Sequence, residues 1–360
     1  MTLILDERDT GERDTDLRDS LEHIDRTTQW IAYHVFYGGS PDVLLTECLI
    51  PLADRLVQAG IARDWFYINY WLEGSHVRLR LRVDGGMPAS ELDAHVMPVV
   101  REYLARKPSM HPMRELADNG FYERLFVGEF RDEDRPQYFD ADGEPKFREN
   151  NSIERRPYER EIYRYGGSAS MILAEAHFVK STSLACDVMD RGNQEVRTLL
   201  LGIAAQLSFA TASALLRDRE LVADFFVAYH QRWATGYTDG TMYTTERGRR
   251  KHALTATRLR TKMLPLFDQV IDGDLSALPA RLRGWTRFNM HTRDQLDELF
   301  ASGHLVFDYQ DGRRAPESAV AAAWSLCHSL IHMTNNRMMV SVADEAFLAY
   351  QIADAMGAEQ

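Results

Sequence analysis

The chain has 360 residues, 45 % hydrophobic and 27 % charged, with a formal net charge of −12. That composition is ordinary for a globular protein with ample core. The acidic balance argues against a general nucleic-acid binder, which needs a basic surface to neutralise phosphates.

The first 27 residues mix both charge signs with few apolar side chains and predict a disordered tail, with a short helix near Leu17 to Ile24. They contain no basic segment followed by a long apolar run. Nowhere does the chain reach roughly 18 uninterrupted apolar residues, so a soluble cytoplasmic protein without membrane contact is expected. Residues 28–360 read as one catalytic domain. WIAYHVFY (30–37) has the aromatic and β-branched content of a strand and ends at Gly38-Gly39-Ser40-Pro41. Asp42 to Gly60 carries apolar residues at helical spacing, with Pro51 expected to kink or split the helix. WFYINYWL (65–72) and HVRLRLRV (76–83) predict a hairpin across Glu73-Gly74-Ser75, and Ala89 to Arg106 reads as a helix. Residues 117–157 are polar and punctuated by Pro, Gly and Asn, which predicts hairpins and loops, with a polar insertion near 130–157. Asp140, Asp142 and Gly143 faintly resemble a calcium loop, but the glycine spacing is wrong and position 151 is Asn. Helices are predicted at about 168–190, 194–217, 219–235, 249–270, 316–334 and 343–357.

Three segments carry candidate chemistry. On HVRLRLRV, side-chain alternation puts His76, Arg78, Arg80 and Arg82 on one face and Val77, Leu79, Leu81 and Val83 on the other. Stacked guanidiniums repel and need partners. The face is either solvated and paired with carboxylates, or a cationic floor for an acidic substrate or an anionic intermediate. In YEREIYRYGG (158–167), either Arg160 and Arg164 or Glu159 and Glu161 face a site, or the segment is a salt-bridged helix or strand end before the helix at Ser168, and Gly166-Gly167 permits a tight turn or close backbone approach. In CHSLIHMTNNRMM (327–339), His328 and His332 share a helix face, with Asn335, Asn336 and Arg337 near the helix end. No HExxH motif and no third ligand accompany the histidines, so no metal is expected; histidine is otherwise a natural proton carrier. Cys48, Cys186 and Cys327 match no CxxC pattern and read as buried thiols of a reducing compartment. No phosphate loop, GxSxG elbow or dinucleotide fingerprint is present.

The order of these motifs is informative. A strand after Trp30 is followed by WFYINYWLEGSHVRLRLR (65–82), YEREIYRYGG (158–167), AEAHFVKST (174–182) and LIHMTNNRM (330–338). This order resembles the elimination domain of lantibiotic dehydratases and the thiopeptide-type bacteriocin biosynthesis proteins, over about residues 30–355. The resemblance implies an α+β fold, a mixed or antiparallel sheet packed by many helices. It implies Arg78, Arg80, Arg164 and His332 as catalytic residues; His76, Arg82, Arg160, Asn336 and Arg337 are the substrate-binding candidates. The implied reaction removes glutamate from glutamylated Ser or Thr of a leader-bearing precursor peptide, glutamylation being done by a separate tRNA-dependent enzyme. No organic cofactor and no direct nucleic-acid contact are implied, and the leader is expected to dock on a strand edge or hairpin. Asn69 stands where the family often has Arg, and the 130–157 stretch is long for an elimination domain. Some free-standing relatives are pyridine synthases, which join two dehydroalanines by a formal [4+2] aza-cycloaddition and then lose water and the leader. That reaction is the second expectation, and a non-catalytic leader-binding scaffold the third.

Overall fold

The computed structural model describes residues 23–111, 113, 121–130, 132–190, 196–237, 246–309 and 311–357. The helix expected near 17–24 lies almost wholly outside them; residues 23–27 are helical. The chain forms two compact units. One comprises Met1–Arg160 and Phe178–Arg191, the other Glu161–His177 and Gly192–Gln360.

The first unit is built on an antiparallel sheet of β1 (Thr28–Phe36), β2 (Asp64–Tyr70), β3 (His76–Asp84) and β4 (Ser152–Arg156), in the order β2-β3-β1-β4. The hairpin expected between β2 and β3 is present, with Tyr70 opposite His76. Val77, Leu79, Leu81 and Val83 are buried on one face, as their alternation requires. Helix α1 (Pro41–Leu44) runs through a π-turn at Leu45–Leu49 into α2 (Ile50–Gln58). Pro51 has no N–H to donate, and the ladder widens in the turn before it rather than breaking. Helix α3 (Ala89–Arg106) buries Leu92, Val96, Val100 and Leu104 at four-residue spacing. The Tyr33 hydroxyl of β1 donates to Asp93 of α3 at 2.8 Å.

Helices α4 (Phe121–Glu129) and α5 (Arg135–Tyr138) precede a bridge between Phe139 and Pro145. The sparse aromatics of this polar stretch hold it down: Tyr122, Phe126 and Phe139 bury with Leu72, and Tyr138 and Phe147 pack against them. Asp140 Oδ1 accepts the N–H groups of Asp142 and Glu144, both at 2.9 Å, so the carboxylate builds a turn. The stretch ends in β4, an edge strand of the main sheet.

The second unit is helical. Helix α6 (Ser168–Asp190) gives it residues up to His177. Then follow α7 (Arg197–Leu216), α8 (Arg219–Tyr237), α9 (Glu246–Asp272), α10 (Ala280–Ala301), a small hairpin of β5 (Phe307–Tyr309) and β6 (Gly312–Arg314), α11 (Ala319–Arg337) and α12 (Val342–Met356). Helix α10 is absent from the sequence-based expectation. Helix α7 is long and apolar enough to cross a membrane, yet 72 % of its most apolar window is buried, and it packs against α10 and α11 as a core helix. Trp285 of α10, fully buried, donates its indole N–H to the Leu207 carbonyl and the Thr211 hydroxyl of α7.

Candidate active site

The site residues expected from sequence fall in both units. His76, Arg78, Arg80, Arg82 and Arg160 belong to the first; Arg164, His332, Asn336 and Arg337 belong to the second.

In the first unit the arginine row of β3 is closed at two of its three positions, with Arg78 half-buried. Arg80 and Arg82 are only 6 % and 3 % exposed. The strand register explains the burial, because the residues opposite them on the same face are aromatic. Phe66 faces Arg80 and Trp30 faces Arg82. The guanidinium of Arg78 lies 3.5 Å from the Tyr70 ring centre, that of Arg80 4.4 Å from Tyr158, and that of Arg82 4.4 Å from Trp30. Guanidinium planes stack well on ring faces, which attract cations. Arg82 also approaches Asp64 at 3.8 Å. Burial pushes the Asp64 carboxyl up, and Arg82 opposes that rise.

The imidazoles here are neutral. His76 Nδ1 contacts the Gly74 carbonyl at 2.8 Å, and Arg78 Nε donates to His76 Nε2 at 3.1 Å. Burial, then the charge of Arg78, pushes His76 down to about 3. His34 stacks on His76 with ring centres 5.0 Å apart and is driven well below the ordinary histidine range, first by burial and then by Arg78. Arg160 pairs with Asp25, tying the segment before β1 to the chain that follows β4. Asn69 lies opposite Val77, on the face away from the arginines.

In the second unit Arg164 sits in a turn, half-exposed, with Glu161 at 3.0 Å. Gly166 and Gly167 have φ of +89° and +104°. A Cβ on Gly166 would stand 2.7 Å from Phe307 Cζ, so the pair provides both the turn and the close approach expected of it. The Val306 N–H donates to the Gly166 carbonyl at 3.1 Å, locking the turn to the chain entering β5.

His332 of α11 is part of a network not visible in the sequence. Its Nδ1 lies 2.9 Å from Oε1 of Glu345 in α12, a carboxylate whose side chain is 1 % exposed. The other oxygen, Oε2, accepts a short hydrogen bond from the Tyr229 hydroxyl and one from Asn335 Nδ2 at 3.2 Å. The His332 ring stacks on Trp233, with centres 4.7 Å apart. Tyr229 is held well above the ordinary phenol range, first by burial and then by the charge of Glu345. His328, one turn before His332, is held well below the ordinary range, first by burial and then by Arg232. Arg337, fully buried, donates to the Met333 carbonyl at 2.6 Å. Asn336 is half-buried beside it.

Among the described residues, no group of three His, Cys, Asp or Glu side chains is placed to hold a metal. The three cysteines are free thiols, and burial pushes Cys48 up to about 11 and Cys186 up to about 12.

The fold is similar to that of solved structures. It superposes on a structure described as a pyridine synthase, TbtD, from thiomuracin biosynthesis, with a TM-score of 0.67 and 19 % identity, covering 91 % of this chain and 97 % of that one. It superposes on TsrL with a TM-score of 0.62 and 20 % identity, covering 91 % and 94 %. A tRNA-dependent lantibiotic dehydratase, MibB, from Microbispora sp. 107891 aligns over 28 % of its length, with a TM-score of 0.46 and 19 % identity. No curated protein matches the sequence. The family model for the lantibiotic biosynthesis dehydratase C-terminal region matches residues 30–356, so the chain belongs to that family.

Proposed function

We propose that this chain tailors a ribosomally made, leader-bearing precursor peptide, and that it forms a pyridine ring from two dehydroalanines with loss of water and then of the leader. The burial of Arg80 and Arg82 carries this reading. Elimination of glutamate calls for guanidiniums presented to an anionic side chain, whereas Arg80 and Arg82 are buried against rings. Ring formation depends more on shape, on juxtaposing two alkenes, and on a few polar groups. The near-complete mutual coverage with a pyridine synthase supports the same choice. Each of the two losses takes one proton from the nascent ring and delivers one to the departing group. His332, partly exposed and held through one nitrogen, is suited to that transfer. Neither step calls for an organic cofactor.

A second reading draws on Arg164, whose half-exposed guanidinium would exchange its pairing with Glu161 for a substrate carboxylate. In it, the chain removes glutamate from a peptide glutamylated by a separate tRNA-dependent enzyme. Mass spectrometry of two leader-bearing peptides separates the readings. Ring formation and leader release from a peptide with two dehydroalanines is the expected result, slowed about 10²- to 10⁴-fold by His332→Ala. Loss of glutamate from a glutamyl-Ser peptide would establish the second reading instead. Tight binding of both peptides without change would leave a leader-binding scaffold.

A further inference from the structure

We infer that Glu345 is the positioning residue of His332: it fixes the ring as the tautomer protonated on Nδ1 and leaves Nε2 as the nitrogen that takes up protons. The inference rests on the reading of His332 as the proton carrier. It begins from donor counting. A carboxylate has only acceptors, so the 2.9 Å contact between Glu345 Oε1 and His332 Nδ1 requires the proton on Nδ1. Oε2 is already occupied by two donors, the Tyr229 hydroxyl and Asn335 Nδ2, so the carboxylate cannot turn away from the imidazole without abandoning them. Trp233 fixes the plane of the ring by stacking on it. Three elements, α8, α11 and α12, therefore converge on one buried carboxylate.

The same count predicts what a neutral amide does in its place. In Glu345→Gln, the Tyr229 hydroxyl and the Asn335 amide N–H₂, both donors to this end of the native carboxylate, face one end of the group, and one imidazole nitrogen faces the other. The amide oxygen turns to Tyr229 and Asn335, and the amide N–H₂ turns to His332. Nδ1 must then accept, and the proton moves to Nε2. Adding Asn335→Asp reverses the inversion. The introduced amide donates to the new carboxylate, its oxygen returns to His332, and Nδ1 is protonated again.

The test is nitrogen-15 NMR of the full chain labelled at histidine, with turnover measured in parallel on the dehydroalanine peptide. The native protein should show His332 protonated on Nδ1, Glu345→Gln on Nε2, and Glu345→Gln with Asn335→Asp on Nδ1. Turnover should fall roughly 10- to 100-fold in kcat in Glu345→Gln, with little change in KM, and recover in the double variant. An Nε2-protonated native ring, or a ring unchanged by Glu345→Gln in a protein of native thermal stability, overturns the inference. If the tautomer inverts while His332→Ala leaves turnover intact, positioning stands and the proton-carrier reading falls. Should Glu345→Gln not fold, the native spectrum and that of Tyr229→Phe, which takes the hydroxyl donor from Oε2 and keeps the carboxylate, decide the tautomer assignment: both should show Nδ1 protonated.

Discussion

Arg80 in the first unit and His332 in the second are both polar groups held within packed surroundings, but they are held by opposite means. Arg80 lies among aromatic rings supplied by a neighbouring strand and by Tyr158. His332 is tied to a carboxylate from the next helix, and that carboxylate is saturated by two further donors. Ring faces position a cation loosely over a broad minimum. A hydrogen-bonded carboxylate fixes a specific atom. The contrast places packing specificity in the sheet and proton specificity in the helical unit.

The largest test of the contrast is acid, because here the two units should behave alike. His76 and His177, one in each unit, are both pushed down to about 3, each first by burial. Their ordinary value is 6.5, so between about 3 and 6.5 the unfolded chain binds more protons than the native one. Stability is therefore fully present above the ordinary value and is lost as pH falls toward 3. Each histidine contributes about 1.4 kcal/mol per pH unit to that loss. Hydrogen exchange at pH 7 and pH 5 should show protection falling in both units. A fall confined to one would break the parallel.

Arg80 sharpens the comparison from the sheet side. Arg80→Ala removes a buried stem as well as a charge and should cost about 2–3 kcal/mol in urea unfolding. Arg80→Leu keeps much of the packing volume and should cost less than about 1 kcal/mol. Equal losses would mean that the guanidinium, not the packing, holds the rings. Between the two lies Gly166→Ala, which combines a left-handed backbone with a Cβ against Phe307. A loss of about 1–2 kcal/mol is expected in the same measurement.

Much of this is readable in the sequence, and the exceptions have physical causes. The face of β3 follows from a period of two, and the helices from about 168 onward lie mostly within a few residues of their expected ends. Helix α10 is the exception. Its inward side interrupts Trp285, Leu296 and Leu299 with Thr286, Asn289, Thr292, Arg293 and Gln295, all buried, so its apolar stripe is broken by polar residues. The arginine row is evident in the sequence, but its burial is not, because its cover comes from Trp30, Phe66 and Tyr158 on other segments. Glu345 is invisible for a related reason. An acidic residue in the first turn of a helix reads as a complement to the helix dipole, and nothing local marks its bond to an imidazole 13 residues away. Ser341 three residues before Asp344 is the available signal, since it marks where α12 begins.

That start matters beyond stability. Ser341 accepts from the Asp344 backbone, the Asp344 side chain answers the Ser341 N–H, and Arg197 clasps the same carboxylate. The capping box thereby sets the rotational phase of α12. One residue of slip would swing position 345 by about 100° around the helix axis, moving its carboxylate off the imidazole.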